Sequence, residues 1–259
     1  MNKFVVEKHG KMSKMTNSVL ISGLPGIGNV GKIAVDFMIE KLKAKKILSL
    51  YSSMFPAVVY VNEGNVVELP KFDFYYFKKK SQSIIFLTAD FQPSFNENET
   101  FYLLSDEVVK IVKSMGVKEI ITIGGIGHES EPENPKVHCL GANEKFISKL
   151  KKAFDRKVVF NSMGKVGVIL GMAGTLMGIS ENNKINSFTL LGETSVAPGH
   201  IGIKPARDVI KVLMDYLKID VPIKEIDKEI TSINKIQDKL KKQIESDEYV
   251  HIPDNRYIG

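Results

Sequence analysis

The sequence is poor in the features that mark chains outside the ordinary globular class. Cys139 is its one cysteine, so no internal disulfide can form, and a reducing cytoplasm is the compartment this predicts. Arginine is nearly absent: Arg156, Arg207 and Arg256 stand alone, and almost all of the positive charge behind the net +6 is lysine scattered among acids. Base edges are read mainly by arginine forks, so this charge predicts no nucleic-acid partner. The two lysine runs, Lys78-Lys79-Lys80 and Lys149 to Lys152, read as solvated turn and helix faces. No apolar run reaches the roughly 20 residues that span a bilayer, and the longest, Val166 to Ile179, is broken by Gly167, Gly171, Gly174 and Gly178. The N-terminal MNKFVVEKHGKMSKM lacks the continuous apolar core and small-residue cleavage site of a secretory signal. Together these absences predict a protein that is neither embedded in a membrane nor exported.

What is present is globular composition. The chain has 259 residues, 43% hydrophobic and 25% charged, enough to bury a full core in one domain or one domain with an appendage. Ser18 to Ser22 is an apolar run ending in Gly23-Leu-Pro-Gly-Ile-Gly28, and Val30, Ile33, Ala34, Phe37, Met38 and Leu42 follow at helical spacing. That pattern predicts strand, tight turn and helix. Lys46 to Leu50 reads as a second strand, and Ala57 to Val61 and Val66 to Leu69 flank the turn residues Asn62 to Asn65 as a hairpin. Phe72 to Phe77 and Ile84 to Thr88 are further strands. Phe101 to Met115 is a helix with Leu104, Val108, Ile111 and Val112 on one face, and Glu119 to Ile123 is the next strand.

The alternation continues with a helix over Asn143 to Phe154, a short strand over Val158 to Phe160 and a helix over Val166 to Met177. A strand over Phe188 to Leu191 and a helix over Pro205 to Leu217 complete it. Glycines at 164, 167, 171, 174 and 178 fall three and four apart, which on a helix leaves one side bare for close approach. After Pro222 the character changes: Ile223, Ile226, Ile230, Ile233, Leu240 and Ile244 occupy heptad a and d positions, with Gln237 the polar exception. This is a three-heptad amphipathic helix, suited to folding back on the body or to pairing with a second subunit or partner. The predicted organisation is an N-terminal segment over 1–17, an α/β core over 18–222, the heptad helix over 223–246 and a flexible tail over 247–259.

Two glycine motifs stand where α/β folds place ligands. Gly26-Ile-Gly28-Asn-Val-Gly31 has the G-x-G-x-x-G spacing between a strand and a helix, the setting in which backbone N–H groups hold a pyrophosphate. The second strand, however, runs through Leu50-Tyr-Ser-Ser53 without the acid that would bind a ribose, so the motif reads first as a closely packed strand-to-helix turn. Gly124-Gly125-Ile-Gly127-His128-Glu129 follows a strand at its carboxyl end and offers flexible backbone beside two titratable groups, a candidate ligand loop. The five histidines, His9, His128, His138, His200 and His251, include no His-Glu-x-x-His pair, and His138 and Cys139 point to opposite faces of a strand. No metal or other cofactor is expected. Ser162 and Ser195 lack the G-x-S-x-G elbow of a hydrolase nucleophile and read as loop residues.

Leu20 to Gly31, Gly124 to Gly127, Gly167 to Gly178 and Leu190 to Ser195, in this order and at these distances, resemble the proteasome assembly chaperone family in its archaeal form. The resemblance covers about Ser18 to Ile226. It implies a three-layer α/β/α sandwich similar to the purine nucleoside phosphorylase fold without that activity, homo-oligomers, and proteasome α subunits as partners. It also implies a C-terminal docking tripeptide with tyrosine second from the end. This chain closes on Arg256-Tyr257-Ile258-Gly259, with tyrosine third from the end, so the motif is displaced by one.

The expectation is therefore a non-enzymatic assembly chaperone, in which Ile226, Ile230, Ile233, Leu240 and Ile244 supply apolar anchors and Tyr257, Ile258 and Gly259 the docking tail. Two alternatives stand beside it. One is a scaffold that pairs with another protein through the C-terminal helix. The other is a nucleoside- or nucleotide-binding enzyme using Gly26, Gly28, Gly31, Gly124, Gly125, Gly127, His128 and Glu129.

Overall fold

The computed structural model describes residues 3–10, 15, 17–62, 64–79, 82–93, 98–160, 164 and 166–228. The chain divides into two units, Met1–Val221 and Pro222–Gly259. In chain order the first holds β1 (Phe4–Lys8), β2 (Ser18–Gly23), α1 (Val30–Lys41), β3 (Lys45–Ser52), β4 (Tyr60–Asn62), β5 (Val66–Glu68), β6 (Phe72–Lys79) and β7 (Gln82–Thr88). It continues with α2 (Asn98–Ser114), β8 (Val117–His128), β9 (Val137–Gly141), α3 (Glu144–Phe154), α4 (Met172–Asn182), β10 (Asn186–Ser195) and α5 (Ile203–Leu217). In the second unit, residues 224–228 are helical.

Eight strands form one sheet in the order β1-β3-β6-β7-β2-β8-β10-β9, and β4 pairs with β5 in a separate hairpin. The centre, β7, β2, β8 and β10, is parallel. β6, β3 and β1 extend one side antiparallel, and β9 closes the other edge antiparallel to β10. β2 is buried at every position, as a parallel strand covered on both faces must be. Leu20, Ile85, Leu87 and Ile120 pack with Leu104 and Val108 of α2 and Leu176 of α4. The alternating residues Val19, Ile21, Ile84, Phe86 and Ile121 are buried on the other face, where α1 and α5 pack. Helices on both faces give the three-layer α/β/α arrangement that the family resemblance implies. Among the described residues no helix is long and apolar enough to cross a membrane.

Beneath α3 and α5 the core is aromatic. The Phe188 ring lies 6.0 Å from Phe146, 5.7 Å from Phe154 and 5.4 Å from Tyr216. The Tyr216 hydroxyl donates to the Glu119 carboxylate at 3.0 Å. Burial pushes both groups above their usual ranges.

The structure departs from the sequence reading at four places. Phe4–Lys8, read as part of a terminal segment, is a strand paired with β3. Gly124 to His128 is no loop: β8 runs on through it, paired residue by residue with Leu191 to Ser195 of β10, because a neighbouring strand supplies the hydrogen bonds that glycine's weak strand propensity does not. The helix predicted from Val166 begins only at Met172. Each interior glycine costs about 1 kcal/mol in a helix, and Gly171 takes φ +72, so 166–171 stays irregular. The bare helical side across five glycines is thus absent. Gly174 instead lets that irregular segment close on α4, since a Cβ there would stand 2.2 Å from the Ile169 carbonyl oxygen. The short strand at 158–160 reduces to one bridge, Val159 to His138.

Two outcomes follow from this packing. Phe188→Ala should lower the unfolding free energy by about 3–5 kcal/mol, read by urea denaturation followed with circular dichroism. Cys139 is buried and burial pushes its thiol up, so a thiol reagent should label the native protein far more slowly than the denatured chain.

Candidate functional site

From β2 the chain passes through α1 to β3 on one side, while β8 lies on the other side of β2. In open α/β sheets such a reversal opens a crevice at the carboxyl ends of the strands. A cleft of about 480 Å³ fills that position. Gly26 and Gly31 of the first motif and Gly124, Gly125 and Gly127 of the second line it, together with residues 166–170. The fold thus brings together two segments that the sequence separates by nearly a hundred residues.

The cleft's walls are Leu24, Ile27, Ile123, Ile126, Leu170 and Leu191, with Gln92 the only polar side chain and no charged one among the described lining residues. Gln92 is already engaged: its Nε2 donates to the Pro25 carbonyl, and its Oε1 accepts from the Met172 amide at 3.4 Å. A phosphate entering this space would shed water without meeting a cation among the described lining residues. The cleft suits apolar groups.

The glycines serve packing. A Cβ on Gly23 would lie 2.1 Å from the Gly31 carbonyl oxygen, one on Gly31 2.5 Å from that of Ile123, and one on Gly125 2.4 Å from that of Ile27. Backbone therefore rests on backbone where the β2–α1 turn meets β8. Gly28, at φ +60, lies against the Thr194 side chain, and its carbonyl accepts from the Gly202 amide at 2.8 Å. A separate 3-10 turn, Ile27–Asn29, stands between Gly26 and α1.

His128 and Glu129 are not among the residues lining the cleft. Glu129 is exposed, and its carbonyl accepts from Ser195 Oγ at 3.1 Å. That Oγ in turn accepts from the Ala197 amide at 3.0 Å, so Ser195, the last residue of β10, braces a turn. His128 Nε2 lies 3.8 Å from Glu193 Oε1. The buried Glu193 carboxylate is bonded through Oε1 to His138 Nε2 at 2.9 Å, and its Oε2 accepts from the Lys136 amide at 3.0 Å. Glu193 went unmarked in the sequence because strand pairing, not local spacing, brings it to His138. Its one signal is a carboxylate in a strand whose other residues carry no charge. His200 Nε2 stands 3.6 Å from Glu131 Oε1. Among the described residues no group of three histidines, cysteines or acids is placed to hold a metal.

Of the predicted partner-binding set, Ile226 is described, and its side chain is buried. Ile230, Ile233, Leu240, Ile244, Tyr257, Ile258 and Gly259 lie outside the described residues, as does Ser162.

The packing role of the glycines separates two otherwise similar substitutions. Gly31→Ala forces a methyl group onto backbone and should cost about 1–3 kcal/mol. Gly26, extended at φ −174 with its nearest neighbour at 3.5 Å from a built Cβ, should accept alanine with little change in melting temperature.

Residues 20–241 match the PAC2 family. An uncharacterized protein of Methanocaldococcus jannaschii is 30% identical over 203 residues, covering 78% of this chain and 74% of its own length. The structure superposes on Pyrococcus furiosus PbaB, described as an archaeal proteasome activator, with a TM-score of 0.86 and 29% identity over 93% of this chain and 100% of that one. It superposes on Pyrococcus furiosus PbaA, described as an archaeal homolog of proteasome-assembly chaperone, with a TM-score of 0.75 and 25% identity over 93% of each chain. With a match running across most of its length, the chain belongs to the PAC2 family.

Proposed function

We propose that this protein is a non-enzymatic, proteasome-associated chaperone that forms a homo-oligomer and binds proteasome α subunits during 20S assembly in the cytoplasm. The observation that carries the proposal is the similarity, across nearly the whole chain, to the Pyrococcus furiosus proteins linked to proteasome activation and assembly. The cleft's apolar lining suits burial of an apolar group from a partner. In this reading Ile230, Ile233, Leu240 and Ile244 anchor a subunit or a second protein partner, and the segment holding Tyr257 and Ile258 reaches the α ring.

A second reading is activation of the assembled proteasome. The greater likeness to PbaB, with a TM-score of 0.86 against 0.75 for PbaA, favours it specifically.

Native mass spectrometry of the protein with free archaeal α subunits and with mature 20S particles tests both, using the full chain and a version ending at Ser246. Complexes with free α subunits are expected, and their loss on truncation would assign the contact to the tail. Binding confined to mature particles, with faster peptide hydrolysis, would select activation. No complex with either would overturn both readings. A thermal-shift panel of nucleosides, nucleotides and phosphate should leave the melting curve unmoved, because a true ligand at 100 times its dissociation constant would stabilise by about 2.7 kcal/mol. A shift would revive the enzyme reading.

A further inference from the structure

We propose that the basic face formed by α3, the turn after it and the adjoining groove along β9 and α5 docks an acidic segment of a partner protein, one that alternates carboxylates with aliphatic side chains. The proposal goes beyond the chaperone reading above and requires neither self-association nor the C-terminal tail.

The chain's positive charge is gathered in one place. Residues 144–157 hold six basic side chains against two acidic ones, a net +4 of the chain's +6. Phe146, Leu150 and Phe154 bury one side of α3, while Lys145, Lys149 and Lys152, at i, i+4 and i+7, share an exposed face. Like charges at that spacing repel and weaken the helix that carries them. Elsewhere lysines are matched: Lys32 with Asp36 and Asp90, Lys46 with Asp73, Lys71 with Glu68 and Lys110 with Asp106. Among the described residues no acid forms an ion pair with Lys145, Lys149, Lys151, Lys152 or Arg156.

α3 packs against β9 and α5, and a groove of about 630 Å³ runs beside it, lined by the start of β9, residues 156–159 and α5. Val137, Val158 and Val212 are its buried lining, and Lys136, Arg156, Lys157 and Lys211 are its exposed cations. The two acids in the groove are taken: Asp215 by Lys157 at 2.6 Å, and Asp208 by Arg207 at 3.1 Å and Lys211 at 3.5 Å. Lys136 and Arg156 stand without an ion-pair partner among the described residues. The groove therefore offers aliphatic contact below and unmatched positive charge at its rim, and Arg156 joins that rim to the lysines of α3. Carboxylates of a partner complement this charge and steer the encounter. Aliphatic side chains, which point the opposite way at alternate positions of an extended segment, cover the valines. Nucleic acid fits less well, because no aromatic ring among the described lining residues offers a base a stacking platform and Asp208 and Asp215 would face its phosphates.

Fluorescence anisotropy of the full chain with a labelled nonapeptide of alternating valine and glutamate tests this surface. Binding is expected at low salt, weakening by about tenfold or more in 0.5 M salt as the screening length shortens. Lys136→Glu combined with Arg156→Glu, both at exposed positions, should raise the dissociation constant by about tenfold or more. Lys149→Glu combined with Lys152→Glu should act in the same direction, and both double variants should keep the wild-type melting temperature. An all-glutamate nonapeptide should bind less tightly, since it leaves the valines uncovered, and a valine–lysine nonapeptide should not bind. Absence of binding by the valine–glutamate peptide, or binding that both charge-reversed variants retain, would overturn the proposal. Equal affinity for the two acidic peptides would overturn its aliphatic half. Tighter binding of a twenty-nucleotide thymidine strand, lost in the same variants, would replace the acidic protein segment by a nucleic acid. The assay contains no proteasome subunit, so its outcome is separate from that of the chaperone reading.

Discussion

Where the β2–α1 turn crosses β8, main chain lies on main chain with no side chain between. Gly23 faces the Gly31 carbonyl, Gly31 faces that of Ile123, and Gly125 faces that of Ile27. This contact draws α1 down onto the sheet, so that Val30, Ala34, Val35 and Met38 are buried. It also sets the floor of the cleft, because the residues that permit it are the ones that line it. The G-x-G-x-x-G spacing is thereby explained without a phosphate. Glycine allows strand and helix to approach, and that closeness is incompatible with a side chain at the same positions.

The chemistry available in the cleft follows from what surrounds it. Its walls come from the carboxyl ends of buried strands and from residues 166–170, and they carry aliphatic groups with one amide already engaged in hydrogen bonds. The titratable groups gather elsewhere. Glu193 binds His138 and the Lys136 amide, tying β9 and the loop before it to β10, and His200 stands near Glu131. A buried carboxylate is retained only with such partners. Polar groups thus brace the edge of the sheet, while the crevice that enzymes of this architecture use for ligands is left apolar.

Much of the fold was legible in the chain. The strands predicted over 18–22, 46–50, 72–77, 84–88, 119–123 and 188–191, and the helices over 101–115, 143–154 and 205–217, lie close to their predicted places. The misses share a cause. Gly124 to His128 belongs to β8 because β10 lies beside it, and nothing within five glycine-rich residues announces a neighbour. Phe4–Lys8 is likewise a strand by virtue of β3. The 166–171 segment fails as a helix because regular glycine spacing imitates a helical face while each glycine weakens the helix itself. The candidate site was half legible: both glycine segments were marked, but their meeting in one cleft and the link between Glu193 and His138 were not.

By itself the sequence determined the alternation of strands and helices, the glycines at the turn after the first central strand, and the family resemblance, because these reside in local spacing and in residue order. Only the tertiary structure decided that two distant glycine segments share one uncharged cleft, that His128 turns toward Glu193 instead of into that cleft, and that the valines of the hairpin stay in water. The physical reason is the same in each case. Burial, charge pairing and close backbone contact are properties of neighbours in space, and strand order sets which residues become neighbours.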